Sequence, residues 1–225
     1  MATGIPTKQK RDRIGICIQY NGKTDEATVL STPFRQFDLL TTLHDSEKNK
    51  LYFGDNLEVL LYLLNSGYRG KIKLIYIDPP FATSADFVNR NQELAYSDSL
   101  CGGEYVEFLR KRLIVLRELL CDEGSIYLHL DGKMAFAMKI VMDEVFGEDN
   151  CRAFITRKKC STKNYTKNTY GNISDYIMYY SKTKNYTWNR PYAPWQMEKM
   201  IEQYPYIDSS GRRYKKVPVH APGTR

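Results

Sequence analysis

Long apolar runs are missing from this chain. No stretch approaches the roughly 20 consecutive apolar residues that a membrane-spanning helix needs, so no membrane partner is expected. The opening segment, MATGIPTKQKRDR, is polar and basic with no apolar core, so it does not read as a secretory signal. Cysteine is sparse and unpatterned: Cys17, Cys101, Cys121, Cys151 and Cys160 are an odd number with no C-x-x-C spacing. That argues against a disulfide framework and against zinc; no metal site is expected, and a reducing cytosol suits the chain. Internal repeats and low-complexity tracts are also absent. What remains is 225 residues, 42% hydrophobic and mixed in charge, enough for one medium domain with a buried core, alone or with an appendage.

Acidic residues are scarce in one region only. Residues 1–150 hold 18 Lys and Arg against 22 Asp and Glu, whereas residues 151–225 hold 15 against 4. A near-neutral body joined to a strongly cationic segment points to a polyanion such as nucleic acid, or to a merely solvated basic surface.

Residues 1–50 are mostly polar and read as an N-terminal arm. The pattern sharpens at LYFGDNLEVLLYLLNSGYRG. LYFGD reads as a strand, Asp55 as the N-cap of a helix carrying Leu57, Leu60, Leu61 and Leu64, and Gly67 and Gly70 as its stop. KIKLIYI is the kind of apolar strand that parallel sheets bury. A loop of some twenty residues follows, long enough to suggest a function. EYVEFLRKRLIVLRELL has Val106, Leu109, Leu113, Leu116 and Leu120 on one helical face, with Glu107 and Lys111 paired opposite. SIYLHL is the next strand, Asp131 a cap for the helix GKMAFAMKIVMDEVF, and Gly147 its end. RAFITRKK and DYIMYYSK read as two further strands, and the tail is irregular. Alternating strands and helices imply an α/β sheet with helices on both faces, whose ligands gather beyond the carboxyl ends of strands. Asp55 and Asp78 are both expected on that rim.

LIYIDPPF therefore ends a strand at a ligand-binding edge. The Asp78 carboxylate only accepts hydrogen bonds. Pro79 and Pro80 lack N–H donors and fix their carbonyl directions, and Phe81 supplies a flat π-face. Two acceptors and a stacking plate suit a planar group bearing an –NH₂, such as a nucleobase. Drawing the amine nitrogen toward tetrahedral geometry as it attacks stabilises the transition state selectively. A base in a duplex must be flipped out to reach such a plate. An Asp-Pro-Pro-aromatic run arises by chance on the order of once per 10⁵ positions, and a plain strand-ending proline turn is the bland alternative.

LYFGDNLEVL, IDPPF, LRKRLIVLRELLCDEGSIYLHLD, VMDEVFGEDN, DYIMYYSKTKNYTWN and VPVHAPGTR, in this order, resemble the permuted beta group of DNA amino-methyltransferases. The likeness is to adenine-N6 enzymes of the kind found as modification subunits of Type III restriction-modification systems. It implies a Rossmann-like sheet, S-adenosylmethionine as cofactor, and duplex DNA as substrate. A restriction subunit or a second methyltransferase chain would be the protein partner. It implies that Asp78 and Pro79 hold the amine, with Pro80 completing the turn and Phe81 stacking on the base. It further implies that Asp55 and Asn56 lie near the cofactor's adenosine. Aspartate at the head of the motif favours adenine N6 over cytosine N4. The domains expected are the arm (1–50), a partial catalytic domain (51–190) and the start of a target-recognition region (191–225).

The family's F-x-G-x-G cofactor loop, which follows the recognition region in this order, is not found, so Arg225 reads as the end of a truncated or split protein. The Trp usual in the strand after Asn150 and the His usual before Asp175 are missing too. A non-catalytic DNA-binding or partner-binding module, and a methyltransferase acting on RNA or another amine, are the competing readings. Arg157, Lys158 and Lys159 are candidates for phosphate contact, or else solvated charges. His129 is a cofactor-rim candidate or a satisfied strand-end histidine. Tyr165, Tyr170, Tyr179 and Tyr180 either stack on bases or pack in the sheet.

Overall fold

The structure is a computed structural model that describes residues 16–38, 49–81, 86–88, 94–97, 102–160, 168, 170–192 and 194–217. The first residues of the expected arm, most of the loop after Phe81, Tyr165 and the end of VPVHAPGTR lie outside them. The chain divides into two compact units, Met1–Thr187 and Trp188–Arg225.

Leucine at helical spacing organises the first unit. Its order is α1 (Glu26–Leu30), α2 (Asn56–Leu63), β1 (Ile72–Ile77), β2 (Asp86–Val88), β3 (Leu94–Ser97), α3 (Gly102–Leu119), β4 (Leu120–Asp131), α4 (Ala135–Phe146), β5 (Cys151–Lys158) and β6 (Ser174–Ser181). Four strands form one sheet in the order β1-β4-β6-β5, with β1 parallel to β4 and the other pairings antiparallel. The expected α/β sheet is thus a mixed one. Ile75, Ile126, Leu128, Leu130, Met178 and Tyr180 share a core with α3 and α4. On the other face, Leu74 and Tyr76 of β1 are 62% and 56% exposed, so β1 is not the fully buried strand its composition suggests. Among the described residues it pairs with β4 alone.

The stripe Val106, Leu109, Leu113, Leu116 and Leu120 is buried as expected, but so are Tyr105, Ile114, Val115, Arg110 and Arg112. The far side of α3 is covered because residues 16–38, read as part of an arm, are fastened to it. The Tyr20 hydroxyl donates to Glu107 at 2.5 Å and the Thr24 N–H donates to the same carboxylate at 3.1 Å. Arg110 Nη1 donates to the Thr24 carbonyl at 2.7 Å. Val29 of α1 enters the core. Burial pushes the Tyr20 hydroxyl well above its usual pKa, and the hydrogen bond to Glu107 adds to this. Burial alone would raise Glu107, yet the donors Tyr20 and Thr24 and the charge of Arg110 outweigh it, so its carboxyl lies below its usual value.

Several local expectations need correction. LYFGD forms no strand: Leu51 and Phe53 stand exposed, and no described strand pairs with residues 51–53. Asp131 does not cap α4, which begins at Ala135 with Met134 at its N-cap position; its carboxylate instead accepts from the Lys133 N–H at 3.0 Å within the turn. The long loop contains the antiparallel pair β2–β3. α3 runs straight into β4, which starts five residues before the predicted SIYLHL strand. Gly124 makes that early start feasible at a register shift between β1 and β4. A Cβ there would stand 2.8–3.0 Å from Leu120 Cδ2, the Cys121 carbonyl and the Ile72 carbonyl. α2 continues into a π-helical turn (Leu64–Tyr68) that Gly67 (φ +86°) breaks, Gly70 (φ +67°) follows it before β1, and Gly147 (φ +89°) ends α4 as expected.

The second unit holds α5 (Met197–Gln203) and the hairpin β7 (Tyr206–Ile207) and β8 (Arg213–Tyr214), where an irregular tail was expected. Its exposed surface pairs cations with rings: Lys215 lies over Tyr204 and Lys216 over Tyr206.

Candidate active site

Helix α3 holds both acidic motifs. Toward its N-terminal end the Tyr105 hydroxyl donates to the Pro80 carbonyl at 2.5 Å. Seven residues on, Arg112 Nη2 donates to Asp55 Oδ2 at 3.0 Å and Nε donates to Asn56 Oδ1. A spacing of seven is two helical turns, about 10 Å along one face. The two segments are therefore tied to a single rail, as their placement on one rim requires. Sequence reasoning missed both tethers, since each bridges 25 or more positions.

Asp55 is the N-cap of α2, as read from sequence: Oδ1 accepts from the N–H groups of Leu57 at 2.9 Å and Glu58 at 3.3 Å. Arg112 is flattened on the Phe108 ring, 3.5 Å from its centroid. Burial lowers the pKa of this guanidinium, and the Asp55 charge opposes the shift. The Asp55 side chain remains 54% exposed. A carboxylate has about four acceptor positions, so one is left on the solvent side for a hydroxyl or amine.

Asp78 leaves the end of β1 with its side chain 54% exposed and Oδ1 3.2 Å from His129 Nδ1. The Tyr76 hydroxyl lies at the same distance from Nδ1, and the Phe81 ring meets the imidazole edge-on at 5.4 Å. The proline turn is thereby held by Tyr105 at Pro80, and His129 stands against Asp78 at its other end. Among the described residues no donor takes the second Asp78 oxygen or the Pro79 carbonyl, and the Phe81 ring follows them in the turn.

The three basic candidates at the end of β5 separate. Arg157 Nη1 and Lys159 Nζ both donate to Asp175, at 3.1 and 2.9 Å, whereas the exposed Lys158 lies between them on the opposite face of the strand. Of the tyrosines, Tyr180 is buried with its hydroxyl donating to Asp143 at 2.5 Å, and Tyr179 is buried and stacked on Tyr127 with centroids 4.5 Å apart. Tyr170 is exposed.

The family model described as DNA methylase, of the N6/N4 type, matches residues 72–221. The chain belongs to this family. Among curated relatives, it is 41% identical over 215 residues to the Type II methyltransferase M.EcaI of Enterobacter cloacae, covering 93% of the chain and 47% of the relative. It is 30% identical to the Escherichia coli Type III restriction-modification enzyme EcoP15I Mod subunit, across 81% of the chain and 38% of the relative. The chain thus spans about half the length, or less, of these relatives. Among solved structures, the PvuII DNA methyltransferase (cytosine-N4-specific) is similar at 16% identity and a TM-score of 0.42, over 68% of the chain and 61% of the other.

Proposed function

We propose that this chain carries the amine-methylating site of a DNA methyltransferase acting on adenine N6, with S-adenosylmethionine as methyl donor. The observation that supports it best is the DPPF turn, held at Pro80 by Tyr105 and flanked at Asp78 by His129, with its acceptors open among the described residues. Asp78 and the Pro79 carbonyl accept from the two N–H groups of a flipped adenine, while Phe81 stacks on its ring and Pro80, tied to Tyr105, keeps the turn rigid. As the nitrogen attacks, both acceptors favour its tetrahedral form, and the half-exposed Asp78 can pass the released proton to water. The residues present fit the nucleoside end of the cofactor: Asp55 keeps an open acceptor position, and Arg112 holds Asn56 beside it. When bound, the cofactor supplies the electrophilic methyl group.

In this reading residues 51–190 are the catalytic domain, and residues 191–225 begin target recognition. Lys158 and the cations of the second unit serve phosphate, with salt-dependent affinity. The protein partner is a restriction subunit or a second methyltransferase chain, and the compartment is the cytosol. The rival reading, a non-catalytic DNA-binding module, draws on the cationic 151–225 segment and the unmatched half of the relatives.

Calorimetry of the chain with S-adenosylmethionine, followed by transfer of labelled methyl groups to duplex DNA, decides between them. The expected product is N6-methyladenine. Label in N4-methylcytosine would overturn the base assignment, and preference for RNA in competition would overturn the substrate. Salt-sensitive DNA binding without cofactor binding would favour the module.

A further inference from the structure

Behind the amine-holding turn, polar side chains line up across the sheet. His129 Nε2 is buried with no hydrogen-bond partner among the described residues. It faces Asp175 Oδ2 at 3.6 Å, beyond hydrogen-bond reach. That same oxygen accepts from Arg157 Nη1 at 3.1 Å, while Lys159 Nζ holds Oδ1 at 2.9 Å. The Asp175 side chain is 4% exposed and that of Arg157 52%. At the other nitrogen, Nδ1, stand Asp78 Oδ1 and the Tyr76 hydroxyl, and Phe81 closes the remaining side. Among the described residues, Asp78, Tyr76 and Asp175 face this ring, and Arg157 and Lys159 stand behind Asp175.

One oxygen of Asp175 thus has two suitors. The guanidinium is on the surface and can leave; the imidazole is walled in and cannot. As a neutral ring His129 donates at one end only; with a second proton taken from solvent it donates at both nitrogens, to Asp78 and to Asp175. We propose that His129 is a positioning residue whose grip on Asp78 tightens when a nucleic-acid phosphate draws Arg157 away from Asp175. A phosphate on Arg157 leaves Oδ2 buried and unpaired, a state that costs about 1–3 kcal/mol unless another donor replaces it. His129 Nε2–H is that donor, and Lys159 stays on Oδ1 meanwhile. Held at both nitrogens, the ring fixes the Asp78 carboxylate in one orientation for the amine. Phosphate engagement on β5 is thereby linked to assembly of the amine site at the end of β1. The inference rests on the reading of Asp78 as amine acceptor and of DNA as partner.

The chain has three histidines, His44, His129 and His220, so side-chain ¹H–¹⁵N correlation spectra of the ¹⁵N-histidine-labelled chain resolve each ring. Without DNA, Arg157→Ala should move the His129 Nε2–H signal downfield to a hydrogen-bonded position, whereas Arg157→Lys, which keeps a cation in reach, should leave it near wild type. A short mixed-sequence duplex should produce the same downfield shift in the wild type and none further in Arg157→Ala. An unmoved His129 signal in Arg157→Ala overturns the competition for Asp175. A shift in Arg157→Ala but not with a duplex shown to bind by fluorescence anisotropy overturns the phosphate trigger. Failure of the duplex to bind at all counts against the DNA reading of the site, and the Arg157→Ala spectrum still decides the competition.

Discussion

At one end of α3 a neutral tyrosine hydroxyl holds a backbone carbonyl; two turns later a buried arginine holds two exposed polar side chains. The Tyr105 contact secures a turn that is already stiff, because consecutive prolines and the last residues of β1 leave it little freedom. The Arg112 contacts secure a segment with no strand behind it, where Leu51 and Phe53 face solvent. A motif that carries its own rigidity needs only a light tether. One that lacks it depends on a charged partner brought from elsewhere in the chain.

This contrast can be broken in order of effect. Replacing Asp78 by Ala should reduce methyl transfer by about 10²–10³-fold, the usual consequence of losing one aimed hydrogen-bonding group, with a melting temperature close to wild type since the side chain is half exposed. Radiolabel incorporation and a thermal melt check both halves. Arg112→Met should cost about 1–3 kcal/mol in urea denaturation, the low end of such losses because Asp55 is half exposed and solvent screens it. It should also weaken cofactor binding more than DNA binding. Tyr105→Phe removes a single hydrogen bond and should cost about 1 kcal/mol. If it costs more than Arg112→Met, the ranking of the two tethers is reversed.

The smallest effect is in pH. Glu107 ionises more readily in the folded chain than its usual 4.5, so the folded state holds this proton less tightly than the unfolded one. Its stabilisation is therefore present above pH 4.5 and fades as pH falls through the lower folded value. Tyr20 has the opposite sign. Its pKa is raised from 10.0, so its contribution is present below that pH and is lost as pH rises through the folded value. Protection of the 16–38 amides against hydrogen exchange should fall below pH 4.5, before that of α3.

What could be read in the sequence was local. Asp55 as N-cap, Gly147 as helix end, the leucine stripe of α3 and the DPPF turn each depend on neighbours within a few positions. Tyr105, Arg112, Asp175 and the docking of Tyr20 do not. Each acts through a partner 16 to 87 residues away, and no periodicity records such a pairing. His129 is ambiguous in the sequence because its strand position fits either role, and only the distances to two carboxylates give it a place. The LYFGD error has a different cause: its composition suits a strand, but a strand also needs a neighbour to bond with.

The exposed side of β1 has a practical consequence. Among the described residues β1 bonds to β4 alone, and an edge strand of this kind beside exposed Leu74 and Tyr76 is a template for another strand. Exposed Lys71 and Lys73 punctuate that edge and repel a second copy over roughly 10 Å at 0.1 M salt. Colloidal behaviour and nucleic-acid affinity therefore pull the choice of buffer the same way. Concentrated salt, the usual means of stripping nucleic acid from a basic protein, also removes the repulsion that keeps these chains apart.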